Sequence, residues 1–216
     1  MFTPITDTCF SLDHNQLGSD DFLYFGVDNA VFWIDTKTWG ETQDAEASQG
    51  WCPTVIDTNG DGVITKPWNE PGEPVDPTRD TLTRAGGYGV IPNPVDGSIW
   101  ASQTGPFPGR LARLELGDNP PETCMLEVYE PPSRENPNID PATTGHAPRG
   151  IDVDRNGIIW TALSGSGHMA SFDRSKCRVL NGPAATGQHC PEGWTLYPTP
   201  GPQMKGVTDP GSADFH

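Results

Sequence analysis

One short pattern of strand and tight turn recurs along the sequence, and this repetition constrains the fold more than any other feature. One copy runs from Tyr88 through an Asp-Gly turn to Trp100, and another runs from Arg149 through an Asn-Gly turn to Trp160. In each copy a Gly follows the first residue and apolar residues then alternate. A third copy begins at Lys205 and breaks off before it is complete. Repeats of strand and turn at a spacing of about 40–60 residues are typical of β-propellers.

A unit nearer the start of the chain shares the second half of this pattern. It combines strands at Asp21–Phe25 and Val31–Asp35 with a polar turn at Thr36–Trp39 and an outer strand at Thr54–Ile56. Each unit therefore holds about four short strands, the number found in a propeller blade. No window favours a helix longer than one or two turns.

The sequence thus predicts an all-β fold that forms part of a β-propeller. We expect blade-like units at about 9–57, 84–130 and 147–198, the start of a fourth at about 203, and an insertion at 57–70. Three blades cannot close a ring, which usually needs four to eight. Blades from a longer parent chain or from self-association would complete a propeller of six or seven blades and cover the open strand edges.

Charge and hydropathy exclude two classes of partner. The formal net charge of -16 leaves no Lys/Arg stripe of the kind that nucleic-acid binding requires. No segment approaches the ~18–20 apolar residues of a membrane span, and Met1 does not open a signal peptide. We expect a secreted or periplasmic protein.

The five cysteines support the same compartment. Cys177 and Cys190 bracket a loop rich in Gly, Pro, Asn and Ala, which a disulfide can close in an oxidising environment. The alternative is a pair of separate thiols in a reducing cytosol. Cys9, Cys52 and Cys124 allow one further bridge and leave one thiol free.

The segment Ala147-Pro-Arg-Gly-Ile-Asp-Val-Asp-Arg-Asn-Gly-Ile-Ile-Trp160-Thr-Ala resembles the repeat of streptogramin lyase-like (virginiamycin B lyase-like) propellers, which are relatives of NHL-type propellers. The chain also looks like an internal piece of larger bacterial secreted proteins of that kind. The resemblance implies a propeller fold. For an enzyme it implies a divalent metal on the axis and a His base, acting as a lyase or lactonase on a cyclic ester or other carbonyl substrate. No catalytic residue of that family carries over to this sequence.

The residue before the repeated Gly is a candidate ligand contact, because it begins the innermost strand of its blade and faces the channel mouth. The family often has His there, whereas this chain has other donors, and His14 is the candidate for the first unit. The four positions are His14, Tyr88, Arg149 and Lys205. Such a ring favours an anionic small molecule, a glycan or a protein loop. The alternative is that its cations pair with Asp152, Asp154 and Asp209 and only hold the channel together.

A second candidate site resembles the first half of a calcium loop. Ligands at alternate positions are expected from Asp57, Asn59, Asp61 and the carbonyl of Val63. Position 12 is Trp68 instead of the usual Glu, so Glu70 or Asn69 would have to complete the coordination of a structural Ca²⁺. The alternative is a pair of Asn-Gly and Asp-Gly turns without metal. We therefore expect a binding or structural module with a calcium loop, and the alternative function is the lyase or lactonase.

Overall fold

A computed structural model of the chain describes residues 14–27, 29–74, 76–133 and 143–199. The fold there is mostly β, with one short α-helix, α1 (Thr36–Thr42). In chain order the strands are β1 (Asn15–Leu17), β2 (Phe22–Val27), β3 (Ala30–Asp35), β4 (Gln49–Pro53), β5 (Val55–Ile56), β6 (Thr81–Leu82), β7 (Gly89–Pro92), β8 (Ile99–Gln103), β9 (Arg110–Glu115), β10 (Met125–Tyr129), β11 (Pro148–Val153), β12 (Ile159–Leu163), β13 (His168–Phe172) and β14 (Trp194–Pro198). Within the described ranges, no helix has the length and apolar character that crossing a membrane requires.

Three sheets share one plan, in which each strand pairs antiparallel with the next along the chain. The first sheet has the order β1-β2-β3-β4 and the third has the order β11-β12-β13-β14. The second contains β7-β8-β9-β10 in the same arrangement, and β5 and β6 extend its outer edge. Leu126 of β10 pairs in parallel with Ile56 of β5. Each sheet therefore contains one four-stranded antiparallel unit, as the sequence pattern predicts.

The first strands of the three units lie close to one another. β1 contacts β7, and β11 contacts both β7 and β8. Gly89 permits this approach, since a Cβ there would lie 2.9 Å from the Ile151 side chain. The arrangement matches part of a propeller, whose blades place their innermost strands around a common axis. Three sheets do not by themselves make a closed ring, and the expected fourth unit lies outside the described residues.

The first unit differs from the sequence prediction at two places. The polar turn expected at Thr36–Trp39 is the start of α1, because Asp35 caps it by accepting hydrogen bonds from the Lys37 and Thr38 amides at 3.0 and 2.9 Å. The outer strand is β4, whereas Val55–Ile56 of the expected outer strand belongs to the second sheet. The sequence pattern misses β4 because Gly50 and Pro53 are residues more typical of loops than of strands. Gly50 is needed there, since a Cβ would lie 2.3 Å from the Trp33 ring.

Two hydrophobic cores lie between the sheets. The core between the first and second sheets includes Tyr24, Trp33 and Leu114, and the Cys52–Cys124 disulfide crosses it with a Cα–Cα distance of 5.8 Å. The core between the second and third sheets is largely aromatic and includes Trp100 and Phe172. Five large side chains of this second core are almost fully buried: Trp100, Tyr129, Ile159, Leu163 and Phe172.

The structure contains two disulfides among the described residues. The predicted bridge between Cys177 and Cys190 is present, with a Cα–Cα distance of 5.2 Å. The further bridge allowed by the cysteine count joins Cys52 to Cys124, and Cys9 lies outside the described residues. Because structural disulfides persist mainly in oxidising compartments, they indicate a location outside the cytoplasm.

Candidate functional site

The starts of the inner strands bring three of the four predicted channel-mouth residues together. His14 precedes β1, Tyr88 precedes β7 and Arg149 lies at the start of β11. The His14 and Tyr88 rings have centroids 4.4 Å apart, and the Arg149 guanidinium carbon lies 5.0 Å from the Tyr88 ring centroid. We call these residues the His14–Tyr88–Arg149 cluster. The fourth, Lys205, lies outside the described residues.

Ser102 holds two of the inner strands in this arrangement. Its hydroxyl accepts a hydrogen bond from the Gly89 amide at 3.2 Å and donates to the carbonyl of Arg149. Its backbone carbonyl accepts from the Tyr88 amide at 2.5 Å. Ser102 is fully buried in β8 and belongs to no repeated motif, so no local pattern indicates this role.

The Arg149 guanidinium contacts an aromatic ring and forms no ion pair in the described part of the chain. Among the described residues, no carboxylate lies within ion-pair distance of its guanidinium. The expected alternative partners are engaged elsewhere: Asp152 accepts from the Val153 amide at 2.8 Å, and Asp154 accepts from the Asn156 amide at 2.8 Å. The third alternative partner, Asp209, lies outside the described residues. The Tyr88 face supports the guanidinium by a cation–π contact, worth about 0.5–1 kcal/mol at an exposed site.

The predicted calcium loop is wound around the buried side chain of Asp57. One Asp57 oxygen accepts from the Gly60 amide at 2.7 Å, and the other accepts from the Gly62 amide at 3.0 Å. Asn59 accepts from the Asp61 amide at 2.9 Å. Asp61 in turn accepts from the amide of Val63 at 3.0 Å. The loop side chains therefore accept hydrogen bonds from the loop's own backbone, and their role as calcium ligands stays a prediction.

The two residues expected to complete the coordination point elsewhere. Glu70 is exposed and accepts a hydrogen bond from the Trp68 indole at 2.9 Å. Asn69 is buried, and its amide group bonds the backbone of Asp76 at 3.0 and 3.2 Å. Asn69 thus links the middle of the insertion to the segment that leads into β6.

Asp80 is the acidic residue that the structure places beside the loop. It is fully buried, and its Oδ2 accepts from the Thr65 amide at 2.7 Å. Its Oδ1 has no hydrogen-bond partner among the described residues. Burial raises the pKa of the Asp80 carboxyl, and the negative charges of Asp57 and Asp61 raise that pKa further.

Metal-binding geometry is not formed anywhere in the part of the chain that the structure describes: no three His, Cys, Asp or Glu side chains are grouped there as metal ligands. In the loop, the carboxylates are turned toward backbone amides.

A third polar cluster joins the second sheet to the third. Glu127 on β10 accepts two hydrogen bonds from the Arg174 guanidinium, at 2.6 and 2.5 Å, and one from the Tyr129 hydroxyl at 2.6 Å. Arg113, which is buried, also reaches Glu127 at 3.4 Å and Asp96 at 3.0 Å. Burial, followed by the charge of Glu127, raises the pKa of Tyr129. The charges of this cluster are paired with one another, which indicates a structural role, although the buried Nε of Arg113 has no hydrogen-bond partner among the described residues.

Comparison with known proteins gives a fold-level likeness only. No protein-family model matches the sequence, and no curated protein matches it. The resemblance to streptogramin lyase-like propellers therefore remains a prediction. Among solved structures, the chain is similar to Pseudomonas fluorescens PhoX in complex with vanadate, a transition state analogue, with a TM-score of 0.47 and 13% identity. The match covers 77% of this chain and 43% of the PhoX chain, so this chain spans less than half the length of PhoX. The likeness is distant and concerns the fold alone.

Proposed function

We propose that this chain is a ligand-binding or structural β-propeller module, secreted or periplasmic, whose channel mouth binds an anionic group. The observation that carries the proposal is the position of Arg149 in the His14–Tyr88–Arg149 cluster. Its guanidinium rests on an aromatic face where three inner strands meet, and no described carboxylate pairs with it. In a protein with a net charge of -16, an arginine that pairs with none of the described carboxylates is a candidate to bind a carboxylate or phosphate.

The chemistry of the cluster suits a planar oxyanion. A guanidinium presents N–H donors in a rigid fork, which can bind both oxygens of a carboxylate at once. The Tyr88 ring restrains the guanidinium, so less conformational freedom is lost on binding. His14 is exposed and adds an imidazole N–H at the edge of the same surface. Carboxylates and phosphates occur in small metabolites, acidic glycans and protein side chains, and these are the ligand classes that we propose.

Lys205 and the remaining blades would complete the mouth. The position of Lys205 in the repeat predicts that it begins the next inner strand, where it would add a second cation. The further blades would come from a longer parent chain or from a second copy of this chain. We place the module outside the cytoplasm because of its two disulfides.

Isothermal titration calorimetry with citrate, inorganic phosphate and galacturonate at low salt tests the proposal. We expect at least one of these anions to bind. We expect Arg149→Gln to weaken that binding about tenfold or more, since a hydrogen bond to a charged group contributes about 1.5–3 kcal/mol. Arg155→Gln is the matched control, because Arg155 is exposed in the turn at the far end of β11. The proposal fails if none of the three anions binds at about 10 mM, or if Arg149→Gln binds as tightly as the wild type.

A further inference from the structure

The acidic residues at the two ends of the insertion between β5 and β6 face each other. Val55 pairs with Leu82 and Ile56 pairs with Thr81 in an antiparallel ladder. If the same register is extended by one residue beyond Ile56 and Thr81, Asp57 lies opposite Asp80. Residues directly opposite in such a ladder have Cβ atoms about 4.5–5.5 Å apart, and like charges at that separation destabilise the pair.

No cation among the described residues forms an ion pair that offsets this repulsion. Of the ion pairs formed by the described residues, none involves Asp57, Asp61 or Asp80. Lys66 is near in sequence, but its ammonium lies 4.7 Å from the centroid of the Trp68 ring. Asp57 is 1% exposed and Asp80 is 0% exposed, so water screens neither carboxylate effectively.

Asp80 can supply the carboxylate oxygen that this loop lacks at its twelfth position, where Trp68 stands instead of the usual Glu. Its Oδ2 binds the amide of Thr65, the ninth residue of the loop counted from Asp57, which holds the carboxylate against the loop. Its buried Oδ1 has no partner among the described residues, although a buried polar atom is normally paired. An unpaired carboxylate oxygen within reach of the charges of Asp57 and Asp61 is a candidate ligand for a hard cation, and Ca²⁺ takes six to eight oxygens in flexible geometry.

We propose that Asp80 replaces the missing glutamate of the loop and completes a Ca²⁺ site with Asp57, Asn59, Asp61 and the carbonyl of Val63. The site joins the start of the insertion to its end, so that bound Ca²⁺ would close the whole segment from 57 to 80. Binding requires the Asp57 and Asp61 side chains to turn from backbone amides toward the cation. The loop also contacts the connection between β13 and β14 of the third unit, because the Gly182 amide donates to the carbonyl of Asp57 at 3.0 Å. Calcium would therefore fix a contact between the second and third units.

We test this site by titrating Ca²⁺ into the full chain after treatment with a chelator. Calorimetry measures the binding, and thermal unfolding measures the stability. We expect a dissociation constant of about 10⁻⁴–10⁻³ M, the range of extracellular calcium modules. We also expect millimolar Ca²⁺ to raise the melting temperature by about 5 °C, with a smaller effect of Mg²⁺. The site is disproved if Ca²⁺ produces neither heat of binding nor a change in melting temperature.

Two substitutions with the same change in charge distinguish Asp80 from Glu70. Asp80→Asn should lower calcium affinity about tenfold or more, while leaving the calcium-free melting temperature equal or higher, because it keeps the bond to Thr65 and removes the repulsion. Glu70→Gln should bind Ca²⁺ like the wild type. If Asp80→Asn keeps its affinity, or if Glu70→Gln loses as much, then Asp80 is not a ligand.

The exposed Asp61 gives a second test that does not depend on a buried position. Asp61→Asn should fold normally and should also lose calcium affinity by about tenfold or more. Unchanged affinity in this variant would overturn the site even if Asp80→Asn failed to fold. Neither substitution touches the His14–Tyr88–Arg149 cluster, so anion binding by the same variants separates the two proposals.

Discussion

The two junctions between neighbouring sheets are stabilised by different chemistry. The first junction, between the first and second sheets, has a mixed core crossed by the Cys52–Cys124 disulfide. The second junction, between the second and third sheets, has an aromatic core in which the Tyr129 and Phe172 centroids lie 4.5 Å apart. Beside that core the charged groups of Glu127 and Arg174 are paired across the junction. Similar repeats therefore give similar sheets, whereas the contacts between sheets depend on residues that the repeats do not share.

Breaking the first junction should have the largest effect on stability. The Cys52–Cys124 bridge spans 72 residues of sequence, and closing a loop of that length restricts the unfolded chain by about 4 kcal/mol in the chain-entropy model. We expect the double substitution Cys52→Ala with Cys124→Ala to lower the free energy of unfolding in urea by about that amount. The same double change at Cys177 and Cys190, which are 13 residues apart, should cost about 3 kcal/mol. Equal or reversed losses would contradict this ranking.

Removing one charge at the second junction should have the next largest effect. Glu127→Gln leaves Arg174 and the buried Arg113 without their shared carboxylate, and breaking such a pair costs about 3 kcal/mol. The control is Glu115→Gln, whose side chain is 64% exposed although it also contacts Arg113. We expect the control to change the free energy of unfolding by less than about 0.5 kcal/mol. If both variants lose a similar amount of unfolding free energy, then the change in net charge causes the loss and the contact across the junction does not.

Mild acid should weaken the second junction by a smaller amount. His189 packs against Tyr129 with centroids 5.2 Å apart, and burial lowers the pKa of His189 below its usual value. Its Nδ1 accepts from the Gly187 amide at 3.2 Å, so the neutral ring fits this contact and a protonated Nδ1 does not. Because the unfolded chain binds the proton more readily, stability falls as the pH drops below about 6.5 and stops falling below the folded pKa.

Urea unfolding at pH 7 and pH 5 measures this last effect. We expect His189→Gln to lose less stability than the wild type between the two pH values. His14→Gln is the control, since His14 is exposed and belongs to neither hydrophobic core. An undiminished pH dependence in His189→Gln would show that other groups cause it.

The repeats predicted the inner strands well because their signals are local. The Asp-Gly and Asn-Gly turns, with apolar residues alternating on either side, fix where β7, β8, β11 and β12 lie. The same repeats predicted that Tyr88 and Arg149 begin neighbouring inner strands, and the structure brings their side chains together. The outer strand β4 was missed, because Gly50 and Pro53 carry loop signals and the packing of Trp33 overrides them.

The residues missed at the candidate sites depend on pairing between distant segments. Asp80 is 23 positions after Asp57, and only the β5–β6 register sets the two residues opposite each other. In the sequence Ser102 is an ordinary strand residue, and only the structure shows that its hydroxyl donates to the carbonyl of Arg149 in another sheet. No local pattern encodes either contact, so the sequence could suggest the loop and the cluster but not their supporting residues.

The position of β5 also has a mechanical consequence. The chain leaves the first sheet at Thr54 and immediately adds β5 to the outer edge of the second, so these two sheets are joined by a direct chain connection as well as a disulfide. The third sheet is attached mainly through side chains and loop contacts, such as the Glu130 amide donating to the Gly187 carbonyl at 2.7 Å. When the chain is pulled from its two ends, we expect the third sheet to detach first and the first two to yield later as one unit.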